Sequence, residues 1–114
     1  MLVRASDVEP RTIENCHGGS GRLASTAFDL AAHECRGMKF LHDDVVEPNA
    51  TIGEHTHADD EEVYYVLEGR GTIILDGERF DIGPGDLAVT PAGHSHGLIN
   101  GPSPMRLIVA CARC

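Results

Sequence analysis

The pattern of apolar positions along the chain predicts short β-strands separated by turns. From Gly37 onward, Pro and Gly residues interrupt the sequence at short intervals. The runs between them are rich in β-branched and aromatic residues and are too short for helices. Examples are Met38–Leu41, Val63–Leu67, Thr72–Leu75 and Arg106–Ala110. Many short strands joined by turns predict a mostly antiparallel, all-β barrel or sandwich.

Two local signals support this interpretation. The dipeptide Asp76-Gly77 lies between two such runs and is typical of a hairpin with a type I′ turn. A Gly-Pro-Gly-Asp turn precedes Leu87–Thr90 and a Pro-Ala-Gly turn follows it, which predicts a strand with tight turns at both ends. Only Ala24–Ala32 is ambiguous, because its composition fits either a helix or an edge strand.

Length and composition limit the size of the core. A chain of 114 residues has room for one domain. It contains no Trp and only three Phe, so the interior has to be built mainly from Val, Ile, Leu and Ala. A core this small gains from pairing with a second copy of the chain.

Charge excludes two classes of partner. Eighteen acidic residues against nine Lys and Arg give a formal net charge of -9, which repels phosphate backbones and acidic membrane surfaces. The chain starts without a signal-peptide pattern and has no apolar run of about 18 residues. We therefore expect a soluble cytoplasmic protein, with Cys16, Cys35, Cys111 and Cys114 as reduced thiols. Cys111 and Cys114 form a single CxxC motif with no second pair to complete a zinc site.

Histidines supply the candidate chemistry. Alternate residues of a strand point to the same face, so His55 and His57 project together about 6.5 Å apart along the backbone. His94 and His96 repeat this spacing, and a strand that begins near Glu62 offers a carboxylate. Imidazole and carboxylate groups on shared faces favour a divalent transition metal. Asp59, Asp60 and Glu61 are interpreted as a solvated turn, and a purely structural role without metal is the alternative.

Other motifs in the sequence give weaker functional signals. Ser95 points away from its neighbouring histidines, so a Ser-His catalytic pair is geometrically poor. Gly18–Gly21 lacks the strand and helix of a phosphate-binding loop and is interpreted as a turn. His17, His33 and His42 show no informative spacing.

Two motifs resemble those of the cupin superfamily. The first is His55-x-His57, followed by Glu62 and Gly69 at the family's spacing. The second runs from Gly85 through Pro91-x-Gly93 to a histidine and an asparagine, at positions 96 and 100. The family's leading glycine falls on Asn49, the residue best able to replace Gly in a left-handed turn. His94 lies outside the ligand pattern, in the turn or at the barrel mouth.

The resemblance implies a double-stranded β-helix, or jelly-roll, barrel that holds one divalent metal per chain. It implies metal ligands at His55, His57, Glu62 and His96, with Glu62, Tyr64 and Val66 facing inward. It also implies a barrel over residues 36–114 and an N-terminal segment, residues 1–35, that packs on the barrel or on a partner in a homodimer. Within the superfamily, the chain is most similar to small single-domain, oxalate decarboxylase-like cupins.

Such a site suits Mn, Fe, Ni, Co or Zn and leaves room for a small-molecule ligand. The first functional hypothesis is a metal-dependent enzyme, a decarboxylase, dioxygenase or isomerase, acting on a carboxylate, keto acid or sugar derivative. Tyr64 is a candidate proton donor. The second hypothesis is a non-catalytic barrel that binds a small molecule or metal as a sensor or carrier.

Overall fold

The computed structural model describes residues 1–114 and consists of ten β-strands in two antiparallel sheets. The strands are β1 (Arg11–Glu14), β2 (Arg22–Asp29), β3 (Met38–Val46), β4 (Thr51–Thr56), β5 (Asp60–Glu68), β6 (Gly71–Leu75), β7 (Glu78–Ile82), β8 (Leu87–Thr90), β9 (Ser95–Asn100) and β10 (Met105–Arg113). Three short 3-10 helices span Ala5–Asp7, Cys16–Gly18 and Ala31–His33. The structure contains no helix with the length and apolar character needed to cross a membrane.

The chain passes repeatedly from one sheet to the other. The larger sheet has the strand order β1-β2-β3-β10-β5-β8, and the smaller has the order β4-β9-β6-β7. From β3 to β10, all consecutive strands except β6 and β7 belong to different sheets. This connectivity confirms the predicted all-β jelly-roll barrel.

Two predicted turns have the expected backbone. Asp76 and Gly77 have φ of 50° and 80°, and they join β6 to β7 with Leu75 paired to Glu78. Positive φ at both positions is what a type I′ hairpin requires. Asn49 has φ of 62°, so it takes the left-handed conformation that the family's glycine would occupy.

The N-terminal part differs from one expectation. The ambiguous stretch Ala24–Ala32 lies mostly in β2, followed by a short 3-10 helix. The edge-strand alternative is wrong, because β2 pairs with β1 on one side and with β3 on the other. Arg11–Glu14 forms the true edge, a strand of only four residues that the apolar pattern does not reveal.

The barrel interior has an apolar half and a polar half. The apolar half is centred on Val46, Val66, Leu98, Met105 and Leu107, each at most 1% exposed. The polar half is formed by buried residues of β2, β3, β5, β8 and β9, which are Ser25, Asp44, Glu62, Thr90 and His96.

The predicted alternation along β5 is confirmed. Glu62, Tyr64 and Val66 are buried, whereas Tyr65 and Leu67 are exposed on the outer face. A strand that follows the two-residue period therefore delivers one carboxylate, one phenol and one core side chain to the interior.

Candidate metal centre

The structure brings His55, His57, Glu62 and His96 together inside the barrel. His55 on β4 is paired with His96 on β9, and His57 follows the end of β4. Glu62 reaches them from β5 in the facing sheet. Each residue offers one ligand atom, and the four atoms lie within 4.8 Å of one another. The set could therefore hold a metal ion.

The imidazole nitrogens crowd around one point. The Nε2 atom of His96 lies 3.0 Å from the Nε2 atom of His55 and 3.0 Å from that of His57. Glu62 Oε1 lies 3.2 Å from Nε2 of His96 and 3.4 Å from Nε2 of His57. Two ligand nitrogens at right angles and about 2.1 Å from an ion are themselves about 3.0 Å apart, so the spacing fits coordination.

Each histidine is oriented through its other ring nitrogen. His55 Nδ1 lies 2.7 Å from the carbonyl oxygen of Gly53, and a carbonyl only accepts hydrogen bonds, so Nδ1 carries the proton. His57 Nδ1 lies 2.7 Å from Asp60 Oδ1. His96 Nδ1 lies 2.9 Å from the hydroxyl oxygen of Thr90. These contacts aim all three Nε2 atoms at the common point, as partners of metal-binding histidines do.

The donor set favours a cation over a hydrogen-bond network. With protons on Nδ1, the Nε2 atoms of neutral His55 and His57 present lone pairs towards His96. One proton on His96 Nε2 would satisfy a single contact and leave the others as acceptors facing acceptors. A divalent ion satisfies three lone pairs and a carboxylate at once. The residues present therefore fit a metal.

Neighbouring charges and burial shift the pKa values of the groups around the centre. Burial lowers the pKa of His55, which keeps its imidazole neutral as metal ligation requires. The hydrogen bond from Lys39 is the largest influence that lowers the pKa of Asp60 to about 2, so this carboxylate is ionised and holds the His57 ring. Burial raises the pKa of Tyr64 well above its usual value, so its hydroxyl is protonated at neutral pH.

Tyr64 lies beside the four candidate ligands. Its ring centroid is 4.6 Å from that of His96. Its protonated hydroxyl is a hydrogen-bond donor inside the barrel.

His94 and Ser95 do not join the cluster. His94 is exposed, and its Nδ1 is hydrogen-bonded to Asp76 in the β6–β7 hairpin. The backbone N–H of Ser95 donates to the same carboxylate. His94 still contributes through its backbone, because its carbonyl oxygen accepts a hydrogen bond from the N–H of His57.

The two cysteines of the CxxC motif, Cys111 and Cys114, differ in burial. Cys111 is buried near His57 and Asp60, and its pKa is raised to about 12, chiefly by burial. Its Sγ atom lies within 4.8 Å of the candidate ligand atoms of His57 and Asp60. Cys114 is exposed at the end of the chain.

A family model with the description "Cupin domain" matches residues 43–111, more than half of the chain. The chain belongs to the cupin family. This match confirms the resemblance of the His55-x-His57 and Pro91-x-Gly93 motifs. The four clustered residues are the ones at which that resemblance places the ligands of cupins.

Similar cupins carry different functional names. An "oxalate-binding protein" from Thermotoga maritima is 32% identical over 106 residues, which cover 88% of this chain and 83% of that protein. A crystal structure of a "predicted oxalate decarboxylase" from Thermotoga maritima has a TM-score of 0.88 and 27% identity, and all of each chain is covered. The polyketide cyclase RemF from Streptomyces resistomycificus has a TM-score of 0.76 and 26% identity, covering all of this chain and 79% of that one.

The sequence interpretation missed two residues of this cupin site. Asp60 and Glu61 are not part of a turn, because both lie in β5, and the Asp60 carboxylate bonds to His57 and Lys39. The three-residue spacing from His57 to Asp60 was the available signal. His17 stacks on His55 with ring centroids 3.6 Å apart, a contact that no local spacing reveals.

Proposed function

We propose that this cupin is a metal-dependent enzyme that acts on a small, oxygen-rich organic acid. The observation that carries the proposal is the convergence of three Nε2 atoms and one Glu62 oxygen on one point. His55, His57, Glu62 and His96 would hold one divalent ion. Bound there, such an ion supplies Lewis-acid stabilisation of negative charge on ligand oxygens.

The surrounding residues would prepare the site for such a ligand. Gly53, Asp60 and Thr90 fix the ring orientations, so little reorganisation is needed when a ligand arrives. Tyr64 would donate a hydrogen bond or a proton to a ligand oxygen. The apolar half of the interior would limit access of water from within the barrel.

Coordination chemistry and the names of the relatives support this class of ligand. With four ligand atoms from the protein, a bound divalent ion would still accept a pair of ligand oxygens. A carboxylate with a neighbouring oxygen, as in oxalate or a 2-keto acid, supplies such a pair. Support comes from the names of the Thermotoga maritima proteins, which refer to oxalate binding and oxalate decarboxylation.

Calorimetric titration with oxalate tests the proposal. We expect binding by protein loaded with Mn²⁺ or Co²⁺ and none by metal-free protein. Glu62→Gln should reduce both metal content and oxalate binding, because it removes the only charged ligand. Glu61→Gln is the matched control, since Glu61 is the exposed neighbour on the same strand. Equal oxalate binding with and without metal would contradict the proposal.

A second candidate is a non-catalytic barrel that binds a small acid. The name of the 32% identical relative, an oxalate-binding protein, favours it. Incubation of metal-loaded protein with oxalate and 2-keto acids, followed by product analysis, separates the two functions. Turnover that disappears in Tyr64→Phe while metal content stays unchanged supports the enzyme. Binding without any turnover supports the carrier.

We also propose that the chain forms a homodimer through the outer face of β5 and β8. Tyr65, Leu67, Leu87 and Val89 are exposed there, Leu87 to 56%. Tyr65 is paired with Leu87 across the two strands, so their side chains form one continuous apolar surface. Leu87→Asp should convert a dimer into a monomer in light scattering, whereas Phe80→Asp on β7 should not. A monomeric wild-type chain would contradict this proposal.

A further inference from the structure

A cavity lies across β1, β2, β3 and the end of β10. It has a volume of about 280 Å³, close to the lower end of the range for ligand pockets. Its charged and aromatic lining residues are Arg11, Asp29, Lys39, Phe40, His42 and Arg113. We call this cavity the basic pocket.

The charge of the basic pocket is opposite to that of the protein. The chain has nine Lys and Arg residues and a net charge of -9, yet three of the nine line this one cavity, against a single acid, Asp29. The Arg113 side chain donates to the backbone oxygen of Arg36 and keeps its charge unpaired. The side chain of Arg11 makes neither a hydrogen bond nor an ion pair. Free guanidinium groups in a cavity favour an anionic ligand.

One wall of the basic pocket is aromatic, because Phe40 and His42 both line it. The rings of Phe40 and His42 are stacked, with centroids 4.1 Å apart and an interplanar angle of 17°. Together they present an aromatic surface at the cavity. Such a surface favours a ligand with a planar group, which gains contact area and stacking. Burial lowers the pKa of His42, so the ring is neutral at pH 7 and adds no charge to the wall.

The basic pocket is connected to the candidate ligands. The register of β10 against β3 shifts between Cys111 and Ala112, so Lys39 has no direct partner in that ladder. A bulge redirects a side chain, and Lys39 reaches Asp60. Asp60 in turn holds His57. Two hydrogen bonds therefore link a cation of the pocket to a residue of the metal centre.

We propose that the basic pocket is a second subsite of the metal centre, which takes the carboxylate and planar part of a conjugated organic acid. This inference rests on the proposed function, because the oxygen-bearing end of the same ligand would lie at the metal. It predicts a ligand larger than oxalate. Arg11 supplies the charge, and Phe40 and His42 supply the aromatic surface.

Binding of benzoate, a planar carboxylate, tests the pocket itself. In NMR titrations we expect benzoate to shift the resonances of His42, and benzyl alcohol to bind at least about tenfold more weakly because it has no charge. Arg11→Gln should weaken benzoate binding about tenfold, since a charge-assisted hydrogen bond is lost. Arg79→Gln, on β7 of the other sheet, is the control and should leave binding unchanged. Equal binding by wild type and Arg11→Gln would overturn the proposal.

Relaxation measurements test the link to the metal centre. With Mn²⁺ bound, the ring protons of benzoate should relax faster than with Zn²⁺, because a paramagnetic ion would lie close to the pocket. Faster relaxation that Arg11→Gln removes supports one composite site. Benzoate binding with identical relaxation for both metals overturns the link. Since metal content is measured separately and benzoate is also titrated into metal-free protein, failure of the metal site is distinguishable from failure of the pocket.

Discussion

Along β5, Val66 packs among apolar side chains, whereas Glu62, four residues earlier, faces three histidines. The same contrast occurs along β9, where Leu98 lies in the core and His96 lies in the candidate metal centre. One half of the interior thus supplies hydrophobic stabilisation, and the other half gathers polar groups whose burial has a free-energy cost. The comparison teaches that stability and function are separated along the strands, so substitutions in the two halves should have different effects.

The largest effect is expected in the polar half. Replacing both His55 and His96 by Ala should abolish metal retention, because two of four ligands disappear. The free energy of unfolding of the metal-free protein should change little, because the cavity left by the buried His96 is offset by the loss of imidazole nitrogens that face one another as acceptors. Metal analysis after dialysis and urea unfolding measure the two quantities. The matched control replaces His33 and His94, two exposed histidines, and should keep its metal.

A substitution in the apolar half should lower the free energy of unfolding and leave metal content unchanged. Leu107 is fully buried and paired with Val66, so Leu107→Ala should lower the free energy of unfolding by about 2–5 kcal/mol. Metal content per folded chain should stay the same. Ile108→Ala, on the outer face, is the control with a smaller loss. A Leu107→Ala protein with normal stability but without metal would remove the distinction between the halves.

The protonation of Asp44 makes the stability of the polar half depend on pH. Burial raises its pKa to about 6 from the ordinary value of 3.8, so between these values the folded state binds the proton more strongly than the unfolded state does. Stability from this group is therefore present at low pH and is lost as pH rises from about 4 to about 6. The size is at most roughly 3 kcal/mol, from the difference between the two pKa values. His42 and Ser25 are its polar neighbours.

Asp44→Asn removes the free-energy cost of ionising this buried carboxyl. Urea unfolding of the metal-free variant should show higher stability than wild type at pH 7 and no difference at pH 4. Asp43→Asn is the matched control, because Asp43 on the outer face pairs with Arg106, which lowers its pKa. That variant should lose a little stability at pH 7, as expected for an exposed pair. A destabilised Asp44→Asn protein at pH 7 would show that the polar half supports folding.

The smallest effect is expected for Asp60, which orients His57 and is not itself one of the four candidate metal ligands. Asp60→Asn should weaken metal affinity about 10- to 100-fold, because His57 loses a charged partner. Competition with a chelator measures the affinity. Asp59→Asn, the exposed neighbour, should have no effect. Unchanged affinity in Asp60→Asn would mean that the ring of His57 is fixed by packing alone.

Features encoded over a few residues could be predicted from the sequence. The β5 alternation, the Asp76-Gly77 hairpin and the left-handed Asn49 depend on local preferences. The His-x-His spacing and the second motif indicated the four residues that the structure brings together.

Features that depend on pairing between distant strands could not be predicted in this way. His17 stacks on His55 because its segment lies directly on β4, where a side chain at Gly53 would meet the backbone oxygen of His17 at 2.0 Å. Lys39 reaches Asp60 only through a bulge opposite β10. Neither contact leaves a periodic signal, because each depends on register and not on spacing.

The most direct test of the central claim is an anomalous difference map from crystals grown with Mn²⁺ or Co²⁺. We predict one peak per chain, within coordination distance of the Nε2 atoms of His55, His57 and His96 and of a carboxylate oxygen of Glu62. A peak at the exposed Asp76 and His94 pair with none among these four residues would contradict the account.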